Sequence, residues 1–350
     1  SNTSSGYNTG LGSRSLSNNS TGVENSGLGF QSLLANTTGN YNTAIGVNSI
    51  SLNTTGSFNT AIGGASLYQT TTGSYNTAIG RGALATSTTA TQNTAIGMST
   101  MEVTTTGSYN TAVGSGALKD NTIGESNSGL GESSLGKNTT GSFNSGYGRL
   151  SLYNNTTASY NNAFGSSALY ANTTGASNNA FGYSSLVTNT TGSFNSAFGD
   201  ASMYYNTTGT YNTATGYRGL NSNTTGNHNT ANGYWALSSN TTGTFNVAIG
   251  YKPIHQNITG AHNIAIGTYS SYNNTTADHN ISIGSSSLTS NTIGSDNISI
   301  GNESQYQNDR GNRNITLGKS ALWNNLNGSS NVAIGAYAQY AGAYGMNTDF

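Results

Sequence analysis

Asn76-Thr77-Ala78-Ile79-Gly80 decides the fold, because this five-residue pattern returns every seventeen residues along the chain. Stepping by seventeen from Asn8 to Asn331 meets an asparagine twenty times, and a glycine stands four residues after each, from Gly12 to Gly335. No insertion or deletion breaks the phase. The full unit reads N-T-A-I-G-x-x-A-L-x-x-N-T-T-G-S-Y, numbered below from its first asparagine as positions 1–17. So short and strict a period marks one small supersecondary unit stacked on copies of itself.

Within the unit, position 3 is almost always Ala, Gly or Ser, and position 4 is mostly aliphatic or aromatic, as at Ile45, Ile62 and Ile79. Position 2 is Thr, Ser or Asn in early copies and becomes Val247, Ile264, Ile281, Ile298, Ile315 and Val332 in late ones. Alternation of this kind predicts a strand, with positions 2 and 4 on one face and position 3 on the other. A second, shorter strand is expected around position 9, mostly Leu (Leu33, Leu67, Leu84, Leu118). Glycines at positions 5 and 15 argue against helix and for corners. The predicted fold class is all-β, a parallel β-solenoid or β-roll of about twenty 17-residue coils. It is read as one continuous solenoid over 1–335, with 336–350 a degenerate last coil or terminal segment. Coils stacked about 4.8 Å apart would make a rod on the order of 95 Å long.

The sequence assigns structural ladders along that stack. Asn42, Asn59 and Asn76 are expected to bond amide to amide, Ile45, Ile62 and Ile79 to stack in the core, and Gly46, Gly63 and Gly80 to turn the corners. Each coil offers few aliphatic side chains against seventeen ordered residues, so a second buried surface is expected. The small position-3 stripe and the aromatic row at position 17 (Tyr41, Phe58, Tyr75) are its candidates, which predicts a homo-oligomer, a lateral trimer or an end-to-end stack.

Composition bounds the chemistry. Only 6% of the 350 residues are charged and the net charge is -1, against roughly a quarter charged in ordinary soluble domains. Nothing there attracts nucleic acid. There are no cysteines, which removes disulfides and thiolate metal sites, and no apolar run is long enough to span a membrane. The eleven carboxylates are scattered along the chain and the four His come without a Ser and Asp set beside them, so no acid–base pair or nucleophilic triad is expected. Gly131-Glu132-Ser133-Ser134-Leu135-Gly136-Lys137 spells a phosphate-loop pattern, yet it lies in phase with the repeat and reads as its turn. His262 and His279 share position 17 one coil apart, which suits an aromatic ladder better than a metal site. No cofactor, no metal and no enzymatic activity are expected. Asn-x-Thr triplets recur at position 12, at Asn36, Asn53, Asn138, Asn172, Asn189, Asn206, Asn223 and Asn240, where glycan acceptors on an exposed turn and plain turn residues are both open readings. Positions 6, 7, 10 and 11 vary freely and carry many Tyr, which predicts a solvent face able to stack on sugars or proteins.

The N-T-A-I-G core with its following small residue and Leu resembles the head repeats of trimeric autotransporter adhesins of the YadA-like family, and similar repeats occur in phage tail-fibre proteins. That resemblance implies a parallel β-roll, three chains side by side and an adhesive surface role. The chain departs from the family in its longer unit with the additional N-T-T-G turn. Together these readings predict an extracellular or cell-surface structural protein, a filament or adhesin shaft acting by self-association and multivalent contact. The expected partners are the chain itself, glycans or host surface proteins, with no nucleic acid and no membrane insertion by this segment. A phage tail-fibre receptor-binding segment and an ice-binding protein are the alternatives.

Overall fold

A computed structural model describes residues 6–340. The chain separates into two compact units, Ser1–Ser177 and Asn178–Phe350. Each is a parallel β-solenoid of 17-residue coils, without helix among the described residues. In the first unit, ten three-residue strands run from Thr9–Leu11 to Asn162–Phe164, and in the second, ten run from Asn179–Phe181 to Val332–Ile334. Neighbouring strands within a unit pair in parallel with residue i opposite residue i+17, as in Thr43↔Thr60, Ala44↔Ala61 and Ile45↔Ile62 or Val247↔Ile264 and Ile249↔Ile266. The last predicted segment is described only to residue 340, where the turn pattern continues; 341–350 lie outside the described residues.

The coil from Asn42 to Phe58 shows the local logic. Thr43–Ile45 is the only strand of the coil, and the expected second strand at position 9 is a run of turns instead. Its cause is backbone handedness. Asn48 and Ile50, at positions 7 and 9, have φ of 56° and 48°, and Phe58 at position 17 has 60°, left-handed values that interrupt any extended segment. These residues are not merely corners. Asn48 N–H donates back to Phe30 O at 2.9 Å while Ile50 N–H donates forward to Ser66 O at 3.0 Å. The changes of hand thus keep backbone bonds aimed along the stack where a strand would turn too slowly to close a 17-residue loop. Gly46 and its equivalents have φ near 135°. At Gly63 a Cβ would stand 2.7 Å from the backbone of Gly80 in the next coil, so position 5 admits only glycine.

The interior reverses the expected faces. Ala44, Ala61 and Ala78 are wholly buried, whereas Ile45 and Ile62 are 38% exposed. Position 3 points inward and positions 2 and 4 point outward. The reason is volume: one coil encloses a thin core, filled at position 9 by Leu33, Ile50, Leu67, Leu84, Met101 or Leu118, all at 0% exposure. An ideal Cβ at Gly27 would already approach Ser15 Oγ to 2.6 Å and Leu16 Cγ to 3.6 Å. A branched side chain has no room there. The small position-3 stripe is therefore core and not a surface for another chain.

Two asparagine ladders line the remaining interior. At position 1, Asn59 donates its backbone N–H to Asn42 Oδ1 at 3.0 Å and its Nδ2 to Gly73 O at 2.9 Å. At position 12, Asn53 Nδ2 donates to Asn36 Oδ1 at 2.7 Å and to Gly56 O at 2.9 Å. Amides with two acceptor lone pairs and two donors are suited to this, since each can serve its own coil and the next. The second ladder lapses at Thr70, Ser87 and Thr104, whose buried hydroxyls have no hydrogen-bond partner, and Asn53 Oδ1 beside them has none either.

Candidate functional site: the outward faces of the coils

With the interior taken up by Leu, Ala, Ser and Asn, whatever chemistry the chain offers lies on three outward faces. The first is the strand face. Position 4 there stacks like on like: Tyr147 lies on Phe164 at 4.6 Å between ring centroids, and Phe181 on Phe198 at 4.9 Å. From Val247 to Ile334 both outward positions of every strand are Val, Ile or Leu. None of the outward residues of the twenty strands is charged. The predicted ladder residues Ile45, Ile62 and Ile79 belong to this face and not to the core, while Asn42, Asn59 and Asn76 are buried and Gly46, Gly63 and Gly80 have positive φ.

The second face is the aromatic row at position 17. Its longest run is in the second unit, where Phe194, Tyr211, His228, Phe245, His262 and His279 stack successively at 4.7–5.0 Å. His262 and His279 lie parallel within 2°, so they continue the ladder as rings. Among the described residues no group of three or more His, Cys, Asp or Glu converges on a common point. The phosphate-loop lookalike is a turn run with Gly131 at φ 128°, and Lys137 Nζ donates to Asn154 Oδ1 at 3.0 Å.

The third face is formed by positions 6, 7, 10 and 11. Ion pairs here are few and solvated: Lys119–Glu102 at 3.8 Å and Arg149–Glu132 at 3.1 Å, each worth little in stability. His255 is a partly buried titratable group of this face. Its Nδ1 stands 2.6 Å from Ser238 Oγ, and its ring packs against Trp235 and Tyr272. Burial, aided by the Lys252 cation, holds its pKa below the usual histidine value.

The position-12 asparagines require a correction. Asn36, Asn53, Asn138, Asn172, Asn189, Asn206, Asn223 and Asn240 are all at 0% exposure. Asn138 Nδ2, for example, donates to Asn121 Oδ1 and Gly141 O, both at 2.9 Å. A glycan on such a nitrogen would displace those bonds and demand room inside the coil, so in the folded chain these residues are ladder rungs and not acceptors. The exposed neighbours on that turn are threonines.

The architecture defines the class, a parallel β-solenoid repeat protein whose surface is periodic. A scan against protein-family models finds no match, and a search of curated proteins finds none. No helix of the described residues is long and apolar enough to cross a membrane.

Proposed function

We propose that this chain is a structural, self-associating β-solenoid, a segment of an extracellular fibre or adhesive appendage without enzymatic activity. The observation that carries this reading is the uncharged strand face, whose outward Ile266, Leu317, Val332 and Ile334 are 37–67% exposed. A contiguous apolar surface of this kind favours a partner, and nothing on it repels an identical surface. A second copy carries the same rows at the same axial spacing, so side chains of two copies can mesh along many coils at once, and weak contacts multiply. The extracellular placement rests on the resemblance to adhesin-head and tail-fibre repeats.

The test is light scattering over a concentration series, with the wild-type chain expected to associate. Replacing Ile266, Ile283 and Ile300 together by Thr, which already stands at the equivalent Thr215, is expected to leave the fold intact by circular dichroism and shift the chain to monomer. A wild-type monomer at all concentrations, or a triple variant that associates unchanged, overturns the proposal.

One observation favours ice binding as a second reading. Thr43, Thr60, Thr77, Thr94 and Thr111 pair in register on the outward face, each beside an aliphatic position 4. This row, and not the turn threonines at positions 13 and 14, supplies an evenly spaced hydroxyl and methyl array. Thermal hysteresis measured on the wild type and on Thr77→Lys would support it if present only in the former.

A further inference from the structure

The third face of the second unit is not uniform. Where Tyr183, Asp200 and Tyr217 follow one another at position 6, a groove of about 420 Å³ opens between them and Tyr204, Tyr205 and Asn221 of positions 10 and 11. We infer that this groove binds a neutral oligosaccharide, a role separate from association through the strand face.

Its rings are presented and not packed away: Tyr183, Tyr205 and Tyr217 are 63%, 51% and 42% exposed. They are also held in place. Tyr205 meets Tyr204 edge-on at 4.7 Å, and Tyr217 stacks on Tyr234 at 5.5 Å. Pre-set rings lose little freedom when a ligand settles on them. A pyranose has an apolar C–H face that packs on such rings and a rim of hydroxyls that both donate and accept. The groove answers both needs. Asp200 Oδ1 accepts the Tyr183 N–H at 3.0 Å, which holds this carboxylate of the lining in place. Asn221 Nδ2 donates to Ala201 O at 2.8 Å, leaving its carbonyl oxygen as acceptor.

Arg218 supplies the donors. Its guanidinium stands 5.3 Å from the Tyr217 centroid and 5.1 Å from that of Trp235, and its buried Nε has no hydrogen-bond partner. A sugar hydroxyl would meet the terminal N–H groups of the guanidinium fork, Arg218 being part of the groove's lining. One carboxylate and one guanidinium leave the groove without net charge, so an anionic ligand gains no electrostatic advantage. Ala201 is the only aliphatic side chain in the lining, which offers no socket for a peptide's apolar residues. A cavity of this volume falls within the range of small-ligand sites.

Titration calorimetry of the full chain with maltohexaose, cellohexaose, chitohexaose and mannohexaose tests this. At least one probe is expected to bind saturably, with affinity unchanged between low and high salt. Tyr205→Ala and Tyr217→Ala are each expected to weaken it about tenfold or more, and Arg218→Gln severalfold, with melting temperatures close to wild type. Tyr109→Ala, an exposed ring of the other unit, is expected to change nothing. Absence of binding to all four probes overturns the assignment. So does binding that Tyr109→Ala weakens as much as the groove variants do, or binding that the groove variants leave intact.

Discussion

At the scale of single residues, the decisive contrast is between Leu118 and Ile62. Leu118 fills the core of its coil and Ile62 stands on the outward face at 38% exposure. Leu118→Ala is expected to cost about 2–5 kcal/mol, and Ile62→Thr about 1 kcal/mol or less. Denaturant melts of both variants measure the difference, and equal costs would mean that the faces are assigned wrongly. Hydropathy alone ranks Ile above Ala and so misreads which residue is inside. The informative signal was present in the polar outliers: Asn162, Thr215 and Asn232 occur at the outward positions, while no residue larger than Thr316 occurs at position 3. Volume, not hydropathy, decides in a coil this narrow. His255 carries a pH dependence of definite sign. Its folded pKa lies below the usual 6.5, so between the two values the unfolded chain binds the proton and the folded one does not. Its contribution to stability is complete above about pH 6.5 and declines as pH falls through that window. Melting temperatures from about pH 8 to about pH 5 should show the decline, and His255→Asn should flatten it.

At the scale of the element, the coil is held by two asparagine ladders, and only one was legible. Position 1 announces itself by an unbroken period. Position 12 has the same chemistry but sits in an Asn-Thr-Thr-Gly run, which turn propensity and glycan acceptors explain equally well without a structure. Burial of the rung is a property of the closed coil, and no local pattern reports it. The second strand failed for a related reason. Left-handed φ at non-glycine residues such as Leu67 (48°) is imposed by closure and intercoil bonding, which overrides local preference. The lapse at Thr70, Ser87 and Thr104 gives the element-scale prediction. The triple change Thr70→Asn, Ser87→Asn, Thr104→Asn restores the rungs and supplies partners for Asn53 Oδ1. At about 0.5–1.5 kcal/mol per bond, a higher melting midpoint is expected. An unchanged or lower midpoint would show that the ladder contributes shape and not stability.

At the scale of the whole molecule, cohesion comes from short-range contacts that salt does not reach. A chain with 6% charged residues and exposed ion pairs such as Arg310–Asp309 at 3.1 Å has little Coulomb energy to screen. Its melting temperature should therefore differ only slightly between low and high sodium chloride, a result that a charge-stabilised repeat would not give. Repeat number, parallel pairing and the absence of helix among the described residues were all readable from the phase of Asn8 to Asn331. The groove at Tyr205 and Arg218 was not, because it depends on which variable residues two neighbouring turns bring side by side.

The pairing of each residue with the one seventeen positions on has a consequence for editing the chain. Deleting 94–110 joins Asn93 to Thr111 and recreates the native Asn-Thr junction, so the shortened protein should melt cooperatively with one coil fewer. Deleting Ser108 alone puts the following coil one place out of phase, setting Lys119 against the Leu row and Glu125 in the buried place of Gly124. That protein should lose structure locally, visible as new protease cleavage near the deletion. Length in this molecule is quantised: it can grow or shrink by whole coils, and by nothing smaller.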